Sequence, residues 1–249
     1  GSSFTLHGCY PNSTSISQAS VAQNIVEFNN ILHLDASTGV TLDTNGKVLS
    51  WQSRPTKDER SIMLGRKSTS GPTVTTVAGN QYLEFTNNYR EQLINNDFKG
   101  LNNKNEFTKL LIYQPQSKSS DMLIYDEASG PDGYFNSDYF YTYSNKSNID
   151  YARFTGTDDI IGKTQVQTTR YDNNQQSLEQ KLVTHFNGQE YPFNYFYRSQ
   201  LRTPSDNVLG LSVGGWQNNT IPFDGLVSKI IYFDRKLSND ETSFLELYY

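Results

Sequence analysis

The chain has 249 residues, with 21 basic and 26 acidic side chains and a formal charge of −5. That balance excludes the basic stripe that a phosphate backbone demands, so no nucleic-acid partner is expected. Cys9 is the single cysteine, which excludes an internal disulfide framework; a domain of this size buries about 70–75% of its unfolded surface and needs no such staple.

No run of 18 apolar residues occurs, so membrane insertion is not expected. The chain carries 17 Tyr, 14 Phe and 24 Asn against 2 Trp and 2 Met. Tyrosine and asparagine suit strands, turns and surfaces that bind by stacking and hydrogen bonding, although an A/T-rich coding bias gives the same composition.

Taken in chain order, Gly1-Ser2 reads as the remnant of a tag. Residues 3–27, rich in Ser, Thr, Asn and Gln, read as a linker or lead-in with a short helix after Ser17, and residues 28–249 as one domain. "ILHLDAS" (31–37) alternates apolar and polar residues, the mark of a half-buried strand. "KVLSWQS" (47–53) and "QYLEFT" (81–86) follow turns at Asp43–Gly46 and Gly79-Asn80. Further strands are expected at "EFTKLLIYQP" (106–115), "DMLIYDE" (121–127), "GYFNSDYFYTYS" (133–144) and "NIDYARF" (148–154). Four more follow at "KTQVQTTRYD" (163–172), "KLVTHFNG" (181–188), "VLGLSVGG" (208–215) and "GLVSKIIYFD" (225–234).

Many short strands with turn signals between them predict an all-β fold, an antiparallel β-sandwich or jelly roll. The amphipathic helices that parallel βαβ units require are missing from the pattern. Asn187-Gly188 suits a type I′ hairpin turn, where both residues take φ > 0. In the last strand, alternation sets Val227, Ile231 and Phe233 on one face and Leu226, Ile230 and Tyr232 on the other. A strand apolar on both faces belongs inside a covered sheet. The cover is a short C-terminal helix that Ser238 and Glu241 open as a capping box, with Phe244, Leu245 and Tyr248 on one face.

The closing stretch "FDGLVSKIIYFDRKLSNDE" resembles the last strand and helix of laminin G-like, concanavalin A-like jelly-roll domains. Their pattern is met by Phe223, Gly225, Val227, Ile230, Ile231, Tyr232, Arg235, Leu237, Ser238 and Glu241. "LGLSVGG", "RYDNN…KLVTHFNGQE", "LHLDASTGVTLDTNGKVLSWQS" and "YLEFT" resemble other strands of that superfamily in the same order. The resemblance runs from about residue 31 to 248 and implies a concanavalin A-like jelly roll.

The superfamily includes glucanases and lyases. The glucanase branch places its carboxylates on one strand as E-x-D-x-E, and retaining cleavage needs the pair about 5–5.5 Å apart. No such motif occurs; "DMLIYDE" and "FDRKLSNDE" lack the spacing, and the lyase pattern Gln-x-His is missing around His185. The three histidines, His7, His33 and His185, lie far apart in sequence, and no nucleophile elbow or phosphate loop appears. The sequence therefore predicts a chain that is not an enzyme.

Glycan recognition calls for aromatic faces against sugar C–H groups, with amides and carboxylates for the hydroxyls. Trp216, Asn218 and Asn219 form one candidate, in a loop between two strands; Asp132 in "SGPDGY" is a second. Tyr191, Tyr195 and Tyr197 form a third, alternating with Phe193 along one face of "EYPFNYFYR". Sandwich ends, core strands or subunit contacts account for the same residues, as a core does for Phe135, Tyr139, Tyr141 and Tyr143. No cofactor is expected. Calcium is a family trait, with Asp158, Asp159 and Asp35 or Asp43 as conceivable oxygen donors. Sequons stand at Asn12, Asn145 and Asn218.

The expectation drawn from composition and resemblance is a non-catalytic lectin-like binding domain of an extracellular, surface-exposed or virion-associated adhesin or fibre protein. Its partner would be a cell-surface glycan or a protein receptor. The alternative is a structural module whose aromatic surface mediates homo-oligomerisation in a fibre, capsid or surface layer.

Overall fold

The structure is a computed structural model. It describes residues 20, 24–26, 30–54, 62–65, 71–86, 91–117, 121–126, 130–136, 139–145, 150–155, 160–197, 199–204, 210–215 and 222–249. For 62–63, 121–126, 130–136, 139–141, 143, 145, 150 and 154–155 the description is of the backbone.

The strands are β1 (Asn30–Asp35), β2 (Val40–Leu42), β3 (Val48–Gln52), β4 (Ile62–Gly65), β5 (Thr73–Val77), β6 (Asn80–Thr86) and β7 (Leu93–Asn95). They continue as β8 (Glu106–Pro115), β9 (Asp121–Asp126), β10 (Gly130–Asn136), β11 (Tyr139–Asn145), β12 (Asp150–Thr155) and β13 (Gln165–Asp172). After α1 (Leu178–Lys181) come β14 (Leu182–Phe186), β15 (Gln189–Tyr191), β16 (Tyr195–Phe196), β17 (Leu211–Val213), β18 (Asp224–Phe233) and the C-terminal α2 (Asn239–Tyr248).

Two antiparallel sheets result. The eight-stranded sheet runs β15-β14-β13-β8-β18-β6-β5, with β1 also beside β18; the ten-stranded sheet runs β16-β12-β11-β10-β9-β17-β7-β4-β3-β2. This is the all-β sandwich that the short strands predict. One cluster fills the space between the sheets, built around Leu32, Leu34, Trp51, Phe85, Phe107, Leu111, Tyr171, Val227, Ile230 and Tyr232. Full burial of each such side chain stabilises by roughly 1.5–3 kcal/mol.

A second cluster covers the outer face of the eight-stranded sheet, where Leu110, Ile112, Ile231 and Phe233 meet Leu237 and Leu245. Ile25 and Val26, inside the expected lead-in, are buried in the same cluster. A sheet covered on both sides explains why every residue of β1 is buried, where alternation alone predicts half.

The sides of β18 differ from strict alternation. A register shift between Val227 and Lys229 inserts one extra residue, and beyond such a bulge the faces exchange. Val227 therefore shares the inner cluster with Ile230 and Tyr232, while Ile231 and Phe233 turn toward α2.

The capping box forms as the sequence predicts: the Ser238 hydroxyl accepts from the Glu241 amide, and the Glu241 carboxylate accepts from the Ser238 amide at 2.9 Å. Arg235 also donates to that carboxylate, so one glutamate anchors both the helix start and the strand end. Thr242 and Leu245 are the buried residues of α2, and Tyr248 is exposed. At the β14–β15 turn, Asn187 (φ 50°) and Gly188 (φ 82°) both take the positive φ that a type I′ turn demands.

Candidate functional site

The segment 189–197 crosses from one sheet to the other. After Tyr191 ends β15, Pro192 has no N–H to donate and the ladder stops there. The chain then joins β12 of the ten-stranded sheet, where Asn194 N–H donates to the Arg153 carbonyl at 3.2 Å and Tyr197 N–H to the Tyr151 carbonyl at 3.0 Å. Phe193 and Phe196 pack against the core and meet edge-to-face with centroids 5.9 Å apart. That fixes the crossing segment from below. Alternation then turns Tyr195 and Tyr197 outward, at 39% and 43% exposure.

β12 supplies the other half of the arrangement. Ala152 is buried and pairs with Phe196, so its neighbours Tyr151 and Arg153 take the outer face beside Tyr197 and Tyr195. The Arg153 guanidinium carbon lies 4.3 Å from the centre of the Tyr195 ring. Tyr151 leans on Tyr195 at 6.4 Å and stacks on Tyr197 at 5.0 Å, with an interplanar angle of 12°. The four side chains thus form a continuous ladder, Arg153–Tyr195–Tyr151–Tyr197, in which every member is held by a ring contact.

Register carries the pattern inward. Tyr141 stands opposite Arg153 and Tyr143 opposite Tyr151, while Tyr134 stands opposite Tyr141. Thr142 and Ser144 take the buried side of β11. The expected single strand over 133–144 is two strands, β10 and β11, paired with each other; Phe135 accordingly lies opposite Phe140 rather than in line with Tyr139, Tyr141 and Tyr143.

The other candidates lie elsewhere. Tyr191 sits on β15, edge-on to Phe186 at 5.3 Å, at the edge of the opposite sheet from Tyr195 and Tyr197. Its expected alignment with them fails at Pro192. Asp132 lies on β10 opposite Ile124, with β11 and β12 between it and β16. Trp216, Asn218 and Asn219 lie outside the described residues, as do Asp158 and Asp159.

Asp35 and Asp43 are engaged locally. The Asp35 carboxylate accepts from Lys229 at 2.6 Å, Arg54 at 3.0 Å and the Ser37 hydroxyl at 2.7 Å. Burial alone raises its carboxyl, but the hydrogen bonds from Lys229 and Ser37 outweigh that and hold it below the usual carboxylate range. The Asp43 carboxylate accepts from the amides of Lys47 and Asn45, both at 2.8 Å. Among the described residues no group of three or more His, Cys, Asp and Glu converges in a way that could hold a metal ion. His185 is likewise tied up, its Nε2 3.2 Å from the Arg170 guanidinium. Among the described residues no helix is long and apolar enough to cross a membrane.

No family model matches the chain, and no curated protein matches it. Solved structures do. The botulinum neurotoxin serotype D binding domain matches with a TM-score of 0.57 and 13% identity, over 89% of this chain and 52% of that one. The botulinum neurotoxin type G receptor-binding domain matches with a TM-score of 0.52 and 14% identity, over 88% of this chain and 51% of that one. A mutant of Trypanosoma rangeli sialidase displaying trans-sialidase activity matches with a TM-score of 0.50 and 10% identity, over 94% and 34%. The chain thus spans about half the length of the toxin binding domains and about a third of the sialidase. At such identity the likeness shows the fold alone, a jelly-roll-like β-sandwich.

The sialidase match corrects the expectation that the chain is not an enzyme. The same fold recurs within the chain of an enzyme, so the missing glucanase and lyase motifs do not decide against catalysis.

Tyr151 and Arg153 are the members of the ladder that sequence reasoning passed over. The signal was present in "DYARF", where Tyr and Arg alternate around a small alanine. Their partners, however, lie more than 40 positions downstream across a sheet switch, which no local pattern reveals.

Proposed function

We propose that the chain is a carbohydrate- or receptor-binding domain of the laminin G-like, concanavalin A-like kind, and that the outer face of β12 and β16 meets the ligand. The observation that carries this reading is the Arg153–Tyr195–Tyr151–Tyr197 ladder on a sheet edge, with Tyr195 and Tyr197 about two-fifths exposed. Tyrosines suit such a role because each offers a broad apolar surface and a hydroxyl while ordering only two χ angles. Here the rings are already ordered by one another, so a ligand meets a preorganised surface. The receptor-binding domains of botulinum neurotoxins share the fold, which supports a binding role. The setting we propose is extracellular, on an adhesin or fibre of a cell surface or virion, with a cell-surface glycan or a protein as receptor.

The test is a glycan array and a cell-binding assay run with the wild-type chain and a Tyr195→Ala/Tyr197→Ala variant of equal thermal stability. Loss of a central aromatic contact costs about 2 kcal/mol, roughly thirtyfold in affinity. Discrete binding that weakens by that order supports the reading; binding that the variant retains in full refutes the placement.

A further inference from the structure

An exposed sheet edge offers unpaired backbone groups to any passing strand, and proteins blunt such edges with brevity, charge, proline or bulges. Among the described residues the two sheets end in β15 and β5, and in β16 and β2. The side of β1 away from β18 is engaged, because His33 N–H donates to the Ser53 hydroxyl and Arg54 N–H to the His33 carbonyl. β16 has two residues. β15 has three, including Glu190, and runs into Pro192. β2 has three, with a register shift between Thr41 and Leu42.

β5 carries none of these devices. It is five residues long, Thr-Val-Thr-Thr-Val, without charge or proline. It pairs with β6 residue for residue, from Thr73↔Glu84 to Val77↔Asn80, without a shift. On its other side the described contact is a single bridge, Thr73↔Lys47. Thr76 and Val77 are exposed, Val77 at 37%. Leu42, 46% exposed, lines one cleft with Val74 beside this edge.

We propose that β5 pairs antiparallel with β5 of a second copy of the chain, joining two eight-stranded sheets across a two-fold axis. A two-fold contact sets each strand against itself, so any charge would meet its like. β5 has none, in a chain that is otherwise acidic by five charges. Centring the axis on Thr76 sets Thr76 opposite Thr76 of the partner subunit and Thr75 opposite Val77 of the partner subunit. Those are β-branched pairs of the kind sheets favour, and the register leaves the Thr73–Lys47 bridge in place. The proposal is independent of the ligand reading, because β5 lies in the other sheet from β12 and β16.

The test is sedimentation equilibrium across a wide concentration series. Wild-type protein is expected to show a reversible monomer–dimer equilibrium. Thr76→Lys and Thr76→Glu, each at an exposed position that leaves the fold intact by circular dichroism, are expected to weaken it at least tenfold. An equimolar mixture of the two variants is expected to recover the dimer, since opposite charges then face each other. A wild-type chain that stays monomeric overturns the proposal, as does a dimer unaffected by Thr76→Lys or a mixture that stays monomeric.

Discussion

His33 sets a pH dependence whose size follows from its surroundings. The residue is 3% exposed on β1, and its Nε2 has no hydrogen-bond partner. Burial, and then the nearby Arg54 charge, lower its pKa from 6.5 to about 4, against the opposing pull of Asp35. The unfolded chain therefore binds a proton near the ordinary histidine value, whereas the folded chain does so only near 4. In that window the unfolded state holds more protons, so stability falls as pH drops and the loss is complete below the folded value. Between about pH 7 and about pH 5 the linkage amounts to about 2 kcal/mol. Asp35 stays ionised there, because its carboxyl is held below the usual range. The assay is urea unfolding of wild type and His33→Gln at both pH values. His7 and His185 are common to both proteins, so the difference of differences isolates His33. Wild type should lose about 2 kcal/mol more than the variant on acidification. Equal losses would refute the reasoning.

Leu245 is fully buried where α2 meets Ile231 and Phe233. Leu245→Ala should cost about 2–4 kcal/mol and lower Tm by about 4–16 °C in calorimetry; an unchanged Tm would mean that the helix does not hold the sheet. Asp35→Ala strands Lys229, whose side chain is 18% exposed, while Arg54 at 40% returns to water. The cost should be about 3 kcal/mol at neutral pH, at the low end for a broken buried pair. It should shrink only as pH falls through the depressed Asp35 value, below the ordinary carboxylate range. Ser238→Ala removes the cap of α2 and should cost about 1 kcal/mol, read as faster hydrogen exchange in the first turn.

The parts of the fold written in local chemistry were legible. Ser238 and Glu241 declare a capping box, Asn187-Gly188 declares a tight turn, and the apolar run of β18 declares a covered strand. What local chemistry cannot announce was missed. The bulge near Ser228 exchanges the faces of β18, because one inserted residue reverses every later side chain. Strands such as β7 and β16 are too short to show a period and exist because neighbours pair with them. The candidate site divides the same way: Tyr195 and Tyr197 stood out by aromatic density, whereas Tyr151 and Arg153 join them through a cross-strand register set by Pro192 and the inward pull of Phe193 and Phe196.

The central claim is that the ladder on β12 and β16 receives the ligand. Its most direct test is nuclear magnetic resonance of the chain with isotope-labelled tyrosine rings, titrated with the best glycan or receptor fragment from the array. The account predicts that the ring signals of Tyr151, Tyr195 and Tyr197 shift together and saturably, while that of Tyr191 on the opposite sheet stays in place. Saturable binding that leaves those three rings unmoved would contradict it.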